Sequence, residues 1–434
     1  MMAKVSRDEP LLEFNPKLPK LSKNEQAVLK LLVEAGRLIV PIYLEQEKLA
    51  QVKIDKAEIE RSAKKDPSFS SPYTSVERLN GKLVAIPYHI KYAAPLKPVA
   101  DKLNEAANIS DNKEFGKALK IQAKVLLDGN YEKAWEAWLK MKPNSLDISI
   151  GPLHHLANQF FFPKAAYHAW VGVMEKEGTI RFNNYKTVTL SARRKTLTPK
   201  ERIDPASIKA IVLDAVLFAG IMARTKFVGL TLPIDVNVVE KYGVQATLFN
   251  QPNDLRLKDQ ILPTFNKIFS KGFKEGFSKE DLRRGYLRSA ALHDLAHSYL
   301  YYKNAAKNLG DDFYTVSELA ATVLGLRLAG YLLLKDRITE KMLESMIVAF
   351  ISRSVYLMRE EDKDNKLMSN YTLGSRIFMN FMFESGALKE FKDLIIVNFT
   401  KVFVSINDLS SMLESLLAHG TKVDAGSFVK KYSQ

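Results

Sequence analysis

The chain has 434 residues, a hydrophobic fraction of 46%, a formal net charge of +15 and no cysteine. That length accommodates two lobes or two to three domains, and the apolar fraction excludes a disordered chain. Without cysteine there are no disulfides and no thiolate metal sites, so a transition metal has to bind through carboxylates and the seven histidines.

Residues 1–21 form a Pro-punctuated arm without the apolar core of a signal peptide, which fits a cytoplasmic protein. Ser22-Lys23-Asn24-Glu25 is a capping-box pattern. The helix it starts carries Val28, Leu29, Leu32, Val33 and Gly36 on one face, and Pro41 kinks or ends it. Residues 66–97, rich in Pro, Ser and Tyr, read as extended or loop structure. Helices resume near Pro98 and run to about Met141, with breaks near Ser110 and at Asp128-Gly129-Asn130. Trp135 and Trp138 on the last of them are core-packing positions.

The pattern changes near Ser145. Residues 146–150 read as a short strand ended by Gly151-Pro152. That places His154 and His155 in a loop, where they are candidates for lining a site. Residues 167–174 are aromatic and β-branched, as a strand is, and residues 187–191 alternate. Asp204-Pro205 signals a helix over 208–217, and residues 227–232 and 244–249 are two further strand candidates. The sharpest basic cluster, Arg193-Arg194-Lys195, has no interleaved aromatics, so the positive charge reads as a solvated face and no nucleic-acid partner is expected.

From Asp254 onward the periodicity is helical, over 258–270, 280–303, 314–335, 340–358, 371–384 and 406–418. No apolar run reaches the ~18 residues of a membrane span, so no membrane partner is expected. The expected class is α+β and predominantly α-helical. Residues 1–253 hold the N-terminal helices and a mixed α/β part, and residues 254–434 a helical part.

The chemistry concentrates in His293-Asp294-Leu295-Ala296-His297. Two histidines at i and i+4 project from one helix face and can share a metal ion. Leu287, Ala291, Leu292, Leu295 and Ala296 form an apolar stripe beside them. The alternative is a pair of core histidines satisfied by other partners. Zinc of this type takes a third protein ligand, and Glu318 is a lone carboxylate in the apolar run Thr315-Val316-Ser317-Glu318-Leu319-Ala320-Ala321, costly there unless paired or metal-bound. In the H-E-x-x-H motif the residue after the first histidine is a glutamate acting as general base; here it is Asp294. A side chain one methylene shorter falls about 1–1.5 Å short, and misplacement on that scale costs about a hundredfold in rate. Leu292-His293-Asp294-Leu295 also looks similar to the doublet of HD-domain phosphohydrolases. That family needs another histidine some tens of residues upstream, and the nearest here is His168.

Several blocks in order resemble one family. They are residues 21–46, Asp147-Ile148-Ser149-Ile150-Gly151-Pro152 with 161–167, Leu232-Pro233-Ile234-Asp235 with 243–250, the His293 to His297 pentapeptide, the helical run 317–326, and 380–388. The chain resembles the zinc peptidases of the dipeptidyl peptidase III type, particularly shorter bacterial relatives. The resemblance implies a mixed α/β lobe and a helical lobe with one zinc ion in the cleft between them. It implies removal of dipeptides from short peptides by a zinc-activated water. The family's zinc ligands carry over to His293, His297 and Glu318. Its catalytic groups do not: the base position holds Asp294, and the glutamate and tyrosine of the loop after Gly151-Pro152 correspond to His154 and Leu156. A histidine before the late helix corresponds to Tyr371, and the second carboxylate of the downstream helix to Thr322.

Two functions follow as expectations. One is a zinc metallohydrolase acting on a short peptide or small molecule in the interlobe cleft, with Asp294 as base and Tyr371, His154 or His155 as replacement donors. The other is a catalytically degenerate relative that binds peptides or a protein around a structural zinc. The sequence does not specify an oligomeric state.

Overall fold

The computed structural model describes residues 10–50, 54–157, 164–193, 202–359 and 366–434, with side chains described at all of these except 56, 153–157, 193 and 366–368. Helix predominates over strand, and the class is α+β as expected. Among the described residues the strands are β1 Leu11–Glu13, β2 Thr74–Leu79, β3 Lys82–Pro87, β4 Leu146–Ala157, β5 Lys164–Met174, β6 Ile208–Gly220, β7 Gly229–Leu232, β8 Val244–Phe249, β9 Leu388–Phe391 and β10 Leu394–Val397. The chain divides into two units, Met1–Glu175 with Leu213–Phe227, and Lys176–Val212 with Val228–Gln434. These units interleave along the chain, because β6 begins in one and ends in the other, whereas the sequence pattern suggests one boundary after residue 253.

In the first unit the capping box forms as the sequence indicates. Glu25 N–H donates to Ser22 Oγ at 3.0 Å, and Ser22 N–H donates to Glu25 Oε2 at 2.7 Å. The helix Lys23–Arg37 buries Val28, Leu29 and Leu32 and lies so close to the sheet that a Cβ on Gly36 would sit 2.6 Å from Leu217 Cδ2. A second helix, Val40–Ala50, carries Pro41 near its start. Strand β5 pairs antiparallel with β4 and with β6, and β1 adds to β6. Trp135 and Trp138 are buried, and Trp138 Nε1 donates to Asp147 at 3.0 Å.

Three local expectations change. Strand β4 does not stop at Gly151-Pro152; it continues with register shifts to Ala157, because a glycine at positive φ followed by a proline bends a strand without ending it. Residues 208–217 form β6 and not a helix. Apolar residues on both faces fit a strand buried on both sides, which periodicity alone does not separate from a buried helix. Residues 187–191 belong to the helix Lys176–Arg193. Their hydroxyls bond back to the preceding turn, Thr187 to Asn183 O at 3.0 Å and Thr189 to Tyr185 O at 2.9 Å, which makes an alternating polar pattern compatible with a helix.

The second unit holds a sheet segment running from Ile208–Val212 of β6 through β8 to β7, and a bundle of long helices. Its core includes Leu292, Leu295, Val316, Val323, Ile347 and Phe378, all buried. The expected helical run is interrupted by the hairpin β9–β10, whose turn residues Lys392 and Asp393 adopt positive φ without a glycine to signal it. Among the described residues, one stretch, Ala305–Leu334, is long and apolar enough to cross a membrane by length and composition. Glu318 and Arg327 break its apolar run in the sequence, and 61% of its apolar window is buried inside the fold.

Lys164, at the start of β5, is 4% exposed and donates to Phe69 O, Ser71 O and Thr74 Oγ1 at 2.6–2.9 Å. Burial pulls its ammonium down to about 8. The unfolded chain therefore binds more protons between pH 8 and 10.5, so stability rises with pH across that window, by up to about 3 kcal/mol. Denaturant titrations should show this rise in the wild type and its loss in Lys164→Met.

Candidate metal centre

The helix Lys279–His297, here the histidine helix, starts at a second capping box formed by Ser278 and Asp281. The helix Phe313–Leu334, here the glutamate helix, packs along it. Two glycines set how closely the histidine helix is packed. A Cβ on Gly325 would lie 2.8 Å from the His293 backbone nitrogen, and one on Gly285 would lie 2.5 Å from Ser345 O on the helix Glu340–Arg359. Both distances are too short for a side chain, so the helices meet at the backbone. Glu318, Thr322 and Gly325 share the contacting face of the glutamate helix, at i, i+4 and i+7.

The contact brings three ligand atoms together. His293 Nε2 and His297 Nε2 are 3.1 Å apart, and Glu318 Oε2 lies 3.3 Å from the first and 3.4 Å from the second. Ligands held by zinc at about 2.0–2.1 Å in a tetrahedral shell are about 3.3 Å from one another. Glu318 is 8% exposed, and its Oε2 accepts no hydrogen bond. A buried carboxylate oxygen left without a donor and facing two imidazole nitrogens fits a metal ligand set. The cluster His293, His297 and Glu318 also satisfies the mutual-distance condition for holding one ion.

The electrostatics follow from burial and proximity. Burial raises the Glu318 carboxyl, but the two imidazoles outweigh it and hold it far below the usual carboxylate range. Burial lowers His297, and the Glu318 and Asp294 charges more than offset it, so the ring is raised. His293 is lowered by burial and by its neighbour His297. His293 Nδ1 lies 3.0 Å from Thr322 Oγ1. With the proton on Nδ1, Thr322 accepts it and the Nε2 lone pair faces the cluster. Thr322 thus occupies the place that the resemblance gives to a carboxylate.

Asp294 sits differently from the ligands. It is 3% exposed and packed on β7: Thr231 Oγ1 donates to the Asp294 backbone oxygen at 2.8 Å and lies 3.2 Å from Oδ1. Its Oδ2 fills the space where a Cβ of Gly229 would go. One hydroxyl has one proton, and the shorter bond takes it, so the carboxyl oxygen at 3.2 Å is poorly served in its charged form. Burial pushes Asp294 up to about 7. Tyr371, on the helix Lys366–Glu384, lies next to Glu318, and burial beside that carboxylate raises its phenol well above the ordinary value. His154 and His155 continue β4 where the sequence suggests a loop, and their side chains lie outside the described residues. Thr231, Gly229 and Gly325 were not singled out as site residues from the sequence. A glycine inside an apolar helical run is the signal that marks Gly325.

No family model matches the chain. It is 22% identical over 363 residues to Nudix hydrolase 3 of Arabidopsis thaliana, covering 81% of this chain and 46% of that protein, so the chain spans about half the length of this curated relative. Its structure aligns with dipeptidyl peptidase III from Caldithrix abyssi at a TM-score of 0.80 and 19% identity, over 98% of this chain and 92% of the other. It aligns with the dipeptidyl-peptidase III of Corallococcus sp. strain EGB at 0.83 and 18%, over 98% and 90%. The fold is that of dipeptidyl peptidase III. The dipeptidyl peptidase III-like fold suggested by the sequence blocks is therefore observed, and its helical part carries a histidine–histidine–glutamate cluster of the metal-binding kind.

Two substitutions probe the geometry. Thr322→Val removes the partner of His293 Nδ1 and should weaken zinc affinity by about 10–100-fold, measured by competition with a chromogenic chelator. Gly325→Ala forces the helices apart at His293 and should lower both Tm and zinc affinity, whereas Gly330→Ala, with open space around its Cβ position, should leave zinc affinity unchanged.

Proposed function

We propose that this protein binds one zinc ion through His293, His297 and Glu318 and acts on short peptides as a metallopeptidase-like hydrolase. The observation that carries this reading is the mutual spacing of 3.1–3.4 Å among the three ligand atoms, with Glu318 Oε2 left without a donor. Bound there, zinc supplies a Lewis acid that polarises a carbonyl. The chain's own residues do the rest. Thr322 is placed to accept from His293 Nδ1, which leaves Nε2 for the ion. Tyr371 presents a protonated phenol beside the cluster. Asp294, close enough to be influenced by His297 and Glu318, is the carboxyl available to take a proton from water.

A second reading draws on the packing of Asp294. Its carboxyl group rests on Thr231 and Gly229 of β7, and a side chain held there supports a scaffold that binds peptides and turns nothing over.

Metal analysis and a peptide library separate the readings. The wild type is expected to retain about one equivalent of zinc, and His297→Ala to lose it; equal metal content in both would remove the site. Slow, zinc-dependent cleavage that drops by about a hundredfold in Asp294→Asn supports the hydrolase. No cleavage by the zinc-loaded wild type, with cleavage appearing in Asp294→Glu, supports the scaffold.

A further inference from the structure

Lys164 belongs to the first unit and takes no part in the metal cluster, which the second unit holds. Together with Gln46, Thr74, Tyr88 and Tyr92 it lines a cavity of about 50 Å³ that is partly open to solvent. Leu49, Ile59 and Val76 give the same cavity apolar walls. That volume has room for about four water-sized groups. The cavity thus suits a molecule of a few non-hydrogen atoms, with one polar end and a short aliphatic part.

The hydrogen bonds of Lys164 set where its nitrogen can react. As an ammonium it donates to Phe69 O at 2.9 Å, Ser71 O at 2.6 Å and Thr74 Oγ1 at 2.8 Å, three neutral oxygens. Thr74 Oγ1 has a single proton and two carbonyls of its own to serve, Ser68 O at 2.8 Å and Ser71 O at 3.1 Å. When Nζ gives up a proton, its two remaining hydrogens stay with the Phe69 and Ser71 carbonyls, which only accept. The lone pair then falls on the Thr74 side. Of the three partners, Thr74 lines the cavity, so the lone pair is on the cavity side. Burial pulls the ammonium down to about 8. About a tenth of it is therefore neutral at pH 7, against about one in 2,500 for an exposed lysine. Desolvated lysines of this kind are the nucleophiles that form imines with carbonyl compounds.

Tyr92 supplies the acid that imine formation needs. It is 1% exposed, and its hydroxyl has no hydrogen-bond partner. Burial, with Tyr88, Glu45 and Glu77 nearby, raises the phenol, so it stays protonated. A buried hydroxyl without a partner is costly, and the oxygen of a molecule in the cavity would satisfy it.

We propose that Lys164 is a covalent site for a small aliphatic aldehyde, which it binds as an imine with Tyr92 acting on the aldehyde oxygen. The Nζ lone pair forms a bond to the carbonyl carbon, and the carbon–oxygen bond breaks. The oxygen leaves as water. Both hydrogens of that water come from the amine, one of them relayed through the Tyr92 hydroxyl. Nothing is oxidised or reduced, and the site works without the metal cluster.

Reductive trapping tests it. Intact protein at pH 7 is treated with a limiting amount of propanal and cyanoborohydride, digested, and mapped by peptide mass spectrometry. Lys164 should carry the three-carbon adduct at about ten times the occupancy of exposed lysines such as Lys113. With naphthaldehyde, which is too large for the cavity, Lys164 should be labelled no more than those lysines. In denaturing urea the preference for Lys164 should disappear. Tyr92→Phe should lower labelling of Lys164 about tenfold and leave the exposed lysines unchanged. The wild-type comparisons stand on their own if that variant does not fold. Labelling of Lys164 at or below the level of exposed lysines, the same preference with both aldehydes, a preference that survives urea, or unchanged labelling in folded Tyr92→Phe would overturn the proposal.

Discussion

The candidate centre depends on a backbone contact between two helices. Gly325 lets the glutamate helix approach His293 to a distance that no side chain would permit. At that separation a carboxylate on one helix and two imidazoles on the other reach a common point without long, mobile side chains. Thr322 meets His293 Nδ1 for the same reason, since it lies on the same face between Glu318 and Gly325. The ligand geometry is therefore a property of the helix packing, and the rigidity of the centre comes from the core around it.

The cluster of His293, His297 and Glu318 was legible in the sequence because it broke local rules in two independent ways. Histidines at i and i+4 share a face by helix geometry, and Glu318 stood alone in an apolar run where a charge is costly. The dipeptidyl peptidase III-like fold was legible in ordered blocks of residues. Its local structure was less so: β6 and the helix Lys176–Arg193 exchanged character because a doubly buried strand loses its alternation and a helix with back-bonded hydroxyls acquires one. The β9–β10 hairpin turns at Lys392-Asp393, without the glycine that usually marks such a turn.

Asp294 shows why residue type alone does not define a role. A carboxyl at this position lies between His297, which favours its charge, and Glu318 and an apolar wall, which disfavour it. Thr231 and Gly229 shape that wall: the first offers a single hydroxyl and the second leaves room for one oxygen. The neighbours of the carboxyl, more than its length, set whether it behaves as a base or as a neutral packing group.

The tight spacing of the three ligand atoms has a further consequence. Oxygen and nitrogen atoms 3.1–3.4 Å apart also suit a shared proton, and the raised His297 beside a strongly acidic Glu318 shows that the cluster holds one readily. Protons and metal ions thus compete for the same lone pairs. Acidification favours the proton there, and alkaline conditions would favour a cation. If the cluster takes a metal ion as proposed, its occupancy follows the local acidity as much as the supply of metal.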